Sequence, residues 1–316
     1  MTNIKGPFRY DIVGSFLRPQ RLKEARQQYA QGSLSQSELT AIENEEITTL
    51  VTKEKAAGLH AVTDGEFRRR WWHLDFLASL NGISVYDFEA SGFGVKRTMQ
   101  NTYVSAPLSF NKQHPFLDHF AFTKSVAGDT LVKQTIPGPN MVTLDSVVLS
   151  AQYHENPVYA NLEDLKVDLA QTYSETHRDR IKSCGYDPDA LIDTFADITT
   201  EALKNRPEDM TITTHMCKGN FMSHWLYEGT YERIAERLLG IEGFDGFFLE
   251  YDDERSGSFE PLRIDEASRY VSLDQLCLSP QCGFSSTEEG NAITDEDQWN
   301  KLALIKSIAE DVWKDA

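Results

Sequence analysis

Short apolar runs alternate with stretches of helical spacing along the first 140 residues of the chain. Residues 10–16, 59–66 and 129–136 are short runs closed by glycine, proline or polar residues, which predicts strands. Between the first two runs, one helix is predicted from about Arg21 and a second one after Ser35. Strand, helix and strand in this order are typical of a parallel sheet.

The second predicted helix has clear start and stop signals. Ser35 and Glu38 have the spacing of a capping box, in which each side chain bonds the backbone N–H of the other residue. Apolar residues then recur at helical period as far as Gly58, which is a natural stop. A helix between Ser35 and Gly58 is therefore predicted.

The later part of the chain continues the alternation. Residues 86–122 carry scattered aromatic side chains without a helical period, which predicts a hairpin-like excursion. Helical spacing returns at 162–182 and again behind Asp187-Pro188, and a last helix is capped by residues 294–297. Three short strands are predicted between the last two helices: residues 211–217, 247–249 and 273–283.

The predicted architecture is a (β/α)8 barrel of the TIM type. Residues 1–316 would form this single catalytic domain, with the excursion at about 86–122 projecting from it. In such a barrel the chemistry lies at the carboxyl ends of the strands. A doubly wound sheet, which also gathers its functional residues at strand carboxyl ends, is the alternative.

Composition and charge argue against some classes of binding partner. The chain is 40% hydrophobic and has a formal net charge of −18, which argues against nucleic acid or an anionic membrane as a partner. It shows no signal-peptide pattern and no apolar run long enough to span a bilayer. Four cysteines in 316 residues do not make a disulfide framework, so reduced thiols and a cytoplasmic location are predicted.

Four potential metal ligands lie at predicted strand ends. His215 and Cys217 are two residues apart in a strand, so their side chains point to the same side. Glu250 follows the strand at 247–249, and Cys282 lies at the turn that closes the next strand. One imidazole, two thiols and one carboxylate form a tetrahedral donor set that suits Zn²⁺. A His-x-Cys pair alone, however, is more often packed in a core than bound to a metal.

The chain resembles the cobalamin-independent methionine synthase family, in particular the short members that match its C-terminal catalytic barrel. The resemblance rests on six segments in the expected order: residues 13–16, 63–66, 134–139, 215–217, 248–252 and 279–284. It implies a zinc-dependent methyltransferase with four protein ligands to the metal: His215, Cys217, Glu250 and Cys282.

The same resemblance implies the substrates. The methyl acceptor would be homocysteine, giving methionine, and Ser15 and Glu66 would hold its amino-acid end. A structural alternative for Glu66 is to cap the next helix. The methyl donor stays open between methyl-tetrahydrofolate and a simpler methyl carrier, because the short members lack the N-terminal half that helps to hold a polyglutamylated folate. The oligomeric state also stays open.

A run of basic and aromatic residues at 68–72 offers a second binding feature. Arg68 and its neighbours mix guanidinium groups with the large rings of two tryptophans, which suits the acidic tail and ring of a folate. Arg18 lies close to the turn at 13–16 and is a further candidate for substrate binding. The alternative is a surface helix whose arginines pair with the excess of acidic residues.

The chain departs from the family pattern at two joints. Residues 180–186 and 259–266 connect predicted helices directly, where the family has a strand with a substrate-binding acidic pair and a strand with a proton-transfer residue. A closed barrel tolerates such losses poorly, because each gap exposes unpaired strand edges. No catalytic proton donor is therefore assigned. A non-catalytic paralogue that binds zinc or substrate is the alternative function, and a corrinoid-dependent methyltransferase is a third.

Overall fold

The computed structural model describes residues 6, 8–90, 97–148, 150–159, 188–204, 206–217, 220–221, 224–225, 237–249, 277–280 and 282–313. Seven α-helices lie in these ranges: α1 (Gln20–Ala30), α2 (Gln36–Ala56), α3 (Leu74–Leu77), α4 (Pro115–Ala127), α5 (Ala151–Glu155), α6 (Pro188–Leu203) and α7 (Asp295–Val312). Eight strands accompany them: β1 (Ala61–Val62), β2 (Asn81–Ala90), β3 (Arg97–Ser109), β4 (Leu131–Val132), β5 (Thr213–Met216), β6 (Asn220–Phe221), β7 (His224–Trp225) and β8 (Gly246–Leu249).

The strands that carry the candidate site are short and parallel. β1 pairs with β4, and β5 pairs with β8. Isolated parallel bridges join Tyr10 to Leu278 and Ser15 to Gly283, so a segment near the start of the chain lies beside one near its end. Parallel strands need crossover connections, and between β1 and β4 the chain passes through α3, the β2–β3 hairpin and α4.

The fold is mixed α/β, as predicted, but the described residues do not form a closed barrel. Their strands pair only in twos. The predicted strands at 10–16 and 273–283 are represented in the described ranges by single bridges rather than by ladders. The predicted helix at 162–182, the joints at 180–186 and 259–266, and Glu250 lie outside the described residues.

The helix caps follow the predicted chemistry. α2 begins at a complete capping box between Ser35 and Glu38, and α7 begins at another between Thr294 and Asp297. Each box satisfies backbone N–H groups that a helix start would otherwise leave without acceptors. The interpretation of Gly58 as a stop is also confirmed, because it adopts a left-handed φ of 87° directly after the helix.

The predicted excursion is a hairpin followed by a helix that the apolar pattern did not indicate. β2 and β3 form a long antiparallel ladder from Asn81 to Ser109. The interpretation of residues up to 122 as lacking helical structure is wrong, because α4 occupies Pro115–Ala127. Its start is fixed by His114, whose ring accepts a bond from Phe116 N and is within 3.0 Å of the Phe76 carbonyl.

Two apolar clusters support these elements. The larger one packs α1, α2 and α7 around buried residues near β1, including Ile12, Phe16 and Phe284. The second joins the hairpin to α6 and to a π-helical segment at Val142–Val148. Among the described helices, not one has the length and apolar character needed to cross a membrane.

Candidate metal and substrate site

Two neighbouring strands position the first two predicted ligands. β5 and β8 run parallel in a register that places His215 beside Phe248. His215 is the third residue of β5, and Cys217 comes directly after the strand ends. Because a strand presents alternate residues on the same side, the two side chains face the same space at the carboxyl end of β5.

The structure brings three of the four predicted ligands together. One donor atom from each of His215, Cys217 and Cys282 lies within 4.8 Å of the other two. The Sγ atoms of the two cysteines are 2.8 Å apart, and neither cysteine is in a disulfide. Cys282 is buried, whereas Cys217 is exposed. The cluster thus has one open side, and Glu250, the fourth predicted ligand, follows the last described residue of β8.

The donor set fits zinc. Thiolate sulfur and imidazole nitrogen are preferred zinc ligands. The Nδ1 atom of His215 is 3.0 Å from the backbone carbonyl oxygen of Phe248. A carbonyl only accepts, so Nδ1 carries the proton and the ring lone pair lies on Nε2. This is the arrangement in which an outer hydrogen bond fixes the tautomer of a metal-binding histidine.

Ser15 holds the segment that carries Cys282. Its hydroxyl donates to the Cys282 carbonyl oxygen at 3.1 Å and accepts from Ser285 N at 3.1 Å, while its own carbonyl accepts from Phe284 N. Gly283 makes this close approach feasible. Its φ is 88°, and a Cβ atom there would lie 2.5 Å from Ser15 Oγ. The described contacts of the Ser15 side chain are therefore with the metal-ligand segment.

Glu66 is held in a strained conformation behind this segment. It is the only non-glycine residue with positive φ among the described residues, at 59°, and its side chain is almost completely buried. Its backbone N–H donates to Asp64 Oδ1, and the neighbouring Gly65 carbonyl accepts from Phe16 N, next to Ser15. Strain of this kind persists where the surroundings impose it, and it concentrates at functional sites.

The two oxygens of the Glu66 carboxylate have different surroundings. Oε1 accepts a hydrogen bond from Thr135 Oγ1 at 2.8 Å and lies 3.4 Å from Arg69 Nη1. Oε2 is buried and has no hydrogen-bond partner among the described residues. A buried carboxylate oxygen without a donor is costly, so Oε2 is suited to receive the N–H group of a ligand.

Arg18 links the backbone around Glu66 to two neighbouring segments through hydrogen bonds to their carbonyl groups. Its guanidinium donates to the Glu66 carbonyl at 2.8 Å and also to the carbonyls of Ser285 and Phe16. Burial lowers the pKa of Arg18 to about 10, so the side chain remains a cation at neutral pH. Arg18 thus connects the turn at Glu66 to the segment that follows Cys282.

Arg68 points away from Glu66 toward α2. It pairs with Glu43 at 3.0 Å and lies over the ring of Phe122. Residues 68–72 do not form the surface helix considered for them, although the expected pairing of their arginines with acids is present: Arg69 contacts Glu66, and Arg70 contacts Glu288.

A cavity of about 1070 Å³ lies between α1, α2 and α4. Arg18 and Arg68 both line it. Its walls carry five Lys or Arg and five Asp or Glu side chains, so the formal charges balance overall. Within this lining, Arg26 and Arg68 share the single carboxylate of Glu43.

Sequence reasoning missed two members of the Glu66 environment. Thr135 lies in the segment 134–139 that carried part of the resemblance, but no local pattern marks its hydroxyl as a partner of Glu66. Arg69 is three residues after Glu66, a spacing that brings side chains together in a helical turn. That three-residue spacing is the sequence signal for the Glu66–Arg69 pair, but Arg69 lies within a run of three arginines, any of which could be the partner.

Solved structures with a similar fold cover nearly the whole chain. A putative vitamin-B12-independent methionine synthase from Listeria monocytogenes is 33% identical, with a TM-score of 0.69, over 97% of this chain and 98% of that one. A B12-independent methionine synthase from Shewanella, solved in complex with selenomethionine, is 17% identical, with a TM-score of 0.65, over 97% and 98% of the two chains. The second similarity concerns the fold alone.

Relatives with similar sequences also cover nearly the whole chain. The uncharacterized protein YxjG of Bacillus subtilis is 41% identical over 98% of this chain and 96% of its own length. A methionine synthase of Saccharolobus solfataricus is 26% identical over 96% of this chain and 81% of its own length. No protein-family model matches the sequence. The alignment with YxjG runs over 365 positions, more than the 316 residues of this chain, so YxjG has residues that this chain lacks.

Proposed function

Because the chain belongs to the cobalamin-independent methionine synthase family, we propose that it transfers a methyl group to the thiol of homocysteine and so forms methionine. The observation that carries the proposal is the convergence of His215, Cys217 and Cys282, whose donor atoms lie within 4.8 Å of one another. The proposed cofactor is Zn²⁺, with Glu250 as the fourth ligand, and the proposed location is the cytoplasm, where thiols stay reduced.

Zinc, when bound by these residues, lowers the pKa of a coordinated thiol, so that the homocysteine sulfur is a thiolate near neutral pH. The protein holds Cys282 in place through Ser15 and Gly283, and it holds His215 through the Phe248 carbonyl. The exposed side of Cys217 leaves room for a substrate sulfur to approach the cluster. A catalytic metal site needs such an open position.

Glu66 and Ser15 are assigned to the amino-acid end of homocysteine. The Glu66 Oε2 atom would accept a hydrogen bond from the substrate ammonium, which would supply the donor that this buried oxygen lacks among the described residues. Ser15 would act mainly by keeping the Cys282 segment against the turn at Glu66, because its hydroxyl hydrogen is already used for the Cys282 carbonyl. Fixed sulfur and amine positions align the thiolate with the methyl donor.

Arg68 is assigned to the methyl donor, and Arg18 would support the site by position, because its guanidinium already donates to four backbone carbonyls. Both residues line the cavity between α1, α2 and α4, where Arg68 shares Glu43 with Arg26, so that a guanidinium could also pair with an anionic group such as the carboxylate tail of a folate. Replacing Arg68 with Met should raise KM for a folate donor and leave the affinity for homocysteine unchanged. An equal loss of both affinities would contradict this assignment.

The decisive experiment is methionine formation by the zinc-loaded protein. Homocysteine should be supplied with methyl-tetrahydrofolate, with its triglutamate form, and with a methylated corrinoid in separate reactions, and Cys217→Ala should serve as the inactive control. Methionine from a folate donor supports the proposal. Methionine formed only with the corrinoid would replace it with the corrinoid-dependent alternative.

The length difference from YxjG favours one further candidate, a paralogue that binds zinc and homocysteine without transferring a methyl group. Such a protein would bind about one zinc per chain and would bind homocysteine in a calorimetric titration. It would form no methionine with any of the three donors. The same set of reactions therefore separates the two functions.

A further inference from the structure

Arg69 is a buried cation directly behind the candidate substrate carboxylate. It is 1% exposed and is the largest fully buried side chain among the described residues. Its guanidinium lies over the ring of Phe116, with 4.6 Å between the guanidinium carbon and the ring centroid. Removing a guanidinium from water is expensive, and an apolar side chain of similar size would often fill such a space at lower cost. The position of the charge therefore calls for an explanation.

Arg69 forms a closed triangle with Thr135 and Glu66, and its Nη1 also donates to the Trp72 carbonyl at 3.4 Å. Arg69 Nη2 donates to the Thr135 carbonyl at 2.7 Å, and Arg69 Nη1 lies 3.4 Å from Glu66 Oε1. The Thr135 hydroxyl closes the triangle by donating to the same oxygen, Oε1, at 2.8 Å. The Arg69 backbone N–H also donates to the Glu66 carbonyl, at 3.0 Å. Glu66 is thus fixed at its backbone and at one carboxylate oxygen.

All of these side-chain contacts fall on one side of the carboxylate. Oε1 has two partners, whereas Oε2 has none among the described residues. If Arg69 served only to neutralise Glu66, a fork-like contact with both oxygens would be the stronger arrangement. The one-sided contact instead fixes the rotation of the carboxylate and keeps Oε2 available.

We propose that Arg69 is a positioning residue that aims Glu66 Oε2 at the ammonium group of the amino-acid substrate, and so determines the preference for a thiol that carries an α-amine. The inference rests on the proposed function, because it assumes that homocysteine binds at this site. It adds a determinant of specificity that acts through Glu66 without touching the substrate.

The test compares two thiols that differ only in the amine. Homocysteine and 4-mercaptobutanoate, which is homocysteine without its amino group, should be titrated calorimetrically into the zinc-loaded wild type and into Arg69→Met and Arg69→Lys. For Arg69→Met we expect affinity for homocysteine to fall by roughly tenfold, the scale of one charge-assisted hydrogen bond. Affinity for 4-mercaptobutanoate should change less than about twofold, and Arg69→Lys should recover part of the preference.

A double substitution checks that Arg69 acts through Glu66. Glu66→Gln alone should reduce the preference for homocysteine, and adding Arg69→Met to it should reduce the preference little further. Zinc content measured on every variant confirms that the metal centre is intact, so a preparation that fails to fold is recognised. Arg69→Lys, which retains the cation, carries the comparison if Arg69→Met does not fold.

Different outcomes overturn different claims. If the wild type prefers homocysteine and Arg69→Met weakens both thiols equally, Arg69 only supports the fold and the inference is wrong. The same conclusion follows if the preference is unchanged in Arg69→Met. If the zinc-loaded wild type binds neither thiol, the proposed function fails, and the role of Arg69 in substrate preference fails with it.

Discussion

The candidate site has a metal side, formed by His215, Cys217 and Cys282, and a substrate side, formed by Glu66 and Arg69. The two sides differ in how firmly the protein holds their side chains. On the metal side, His215 lies in β5, a four-residue strand whose residues are all partly exposed, and Cys217, which follows the strand, is exposed, whereas Cys282 is buried and bonded to Ser15. Glu66 and Arg69, in contrast, are almost completely buried and are tied to several segments at once.

This difference matches what each side is proposed to bind. A metal ion releases enough free energy on binding to order its own ligands, so a lightly held strand end is sufficient. An ammonium group releases far less free energy on binding, so its acceptor has to be held in the binding orientation before the ligand arrives. His215 and Cys217 are therefore expected to depend on the ion for their final positions, whereas Cys282 and the substrate side are held by contacts within the protein.

The largest effect is expected from removing a ligand on the metal side. Cys282→Ala and Cys217→Ala should each weaken zinc binding by at least about 100-fold, because changes to the groups that merely support a ligand already cost 10–100-fold. Zinc per chain, measured after dialysis against a weak chelator, is the readout. Cys277→Ala is the matched control, since Cys277 lies outside the cluster and burial raises its pKa to about 11. Full zinc retention in both ligand variants would show that the metal side is misassigned.

The next largest effect is a loss of stability at the close contact between Gly283 and Ser15. Gly283→Ala would place a Cβ atom 2.5 Å from Ser15 Oγ at a left-handed φ, so the free energy of unfolding should fall by about 3 kcal/mol or more. Gly32→Ala is the control: its φ is 73°, but no atom lies within 4 Å of the added Cβ. It should cost about 1 kcal/mol, the price of the backbone conformation alone. Equal losses in urea denaturation would mean that the close approach to Ser15 is unimportant.

A smaller effect is expected from one hydrogen bond on the substrate side. Thr135→Val keeps the shape of the side chain but removes the donor to Glu66 Oε1, which should lower the free energy of unfolding by roughly 1.5–3 kcal/mol. Thr199→Val is the control, because that buried hydroxyl donates to a carbonyl four residues earlier in its own helix. It should change stability by less than about 1 kcal/mol. If the two variants are equally stable, Glu66 does not depend on Thr135.

The smallest effect is a change in the pH dependence of stability. Burial raises the pKa of Glu54 well above its usual value of 4.5, although Thr63 donates to the carboxylate. The folded state therefore binds this proton more tightly than the unfolded chain does, and the stabilisation is lost as pH rises from about 4.5 through the raised pKa. Between pH 4 and pH 8, the wild type should lose stability relative to Glu54→Gln, measured by chemical denaturation at each pH. Parallel curves for the two proteins would contradict this.

Local chemistry predicted much of the framework from the sequence. The capping box at Ser35 and the strands around His215 and Phe248 depend on neighbouring residues, so their patterns are visible in the chain. The convergence of His215 and Cys217 follows from the two-residue period of a strand. The placement of Cys282 beside them came from the strand-end argument and the resemblance, and the geometry of the cluster agrees with it.

The remainder depends on contacts between distant segments. α4 was missed because its surroundings are rich in aromatic residues, although Pro115 after His114 marked its start. The asymmetric contacts of Glu66 come from Thr135, 69 positions away, and no local pattern encodes such a pair. Arg68 was grouped with its neighbours in the sequence, yet it turns toward Glu43 while Arg69 turns toward Glu66.

The hydrogen bond between Ser15 and Cys282 joins residues 267 positions apart. During synthesis, Cys282 must therefore leave the ribosome before this bond can form. A nascent chain that has emerged only as far as Cys217 still lacks the second of the two cysteine donors. Under the proposed function, zinc binding by both cysteines would follow the synthesis of most of the described residues, and a chain that ends before Cys282 could not complete the cluster.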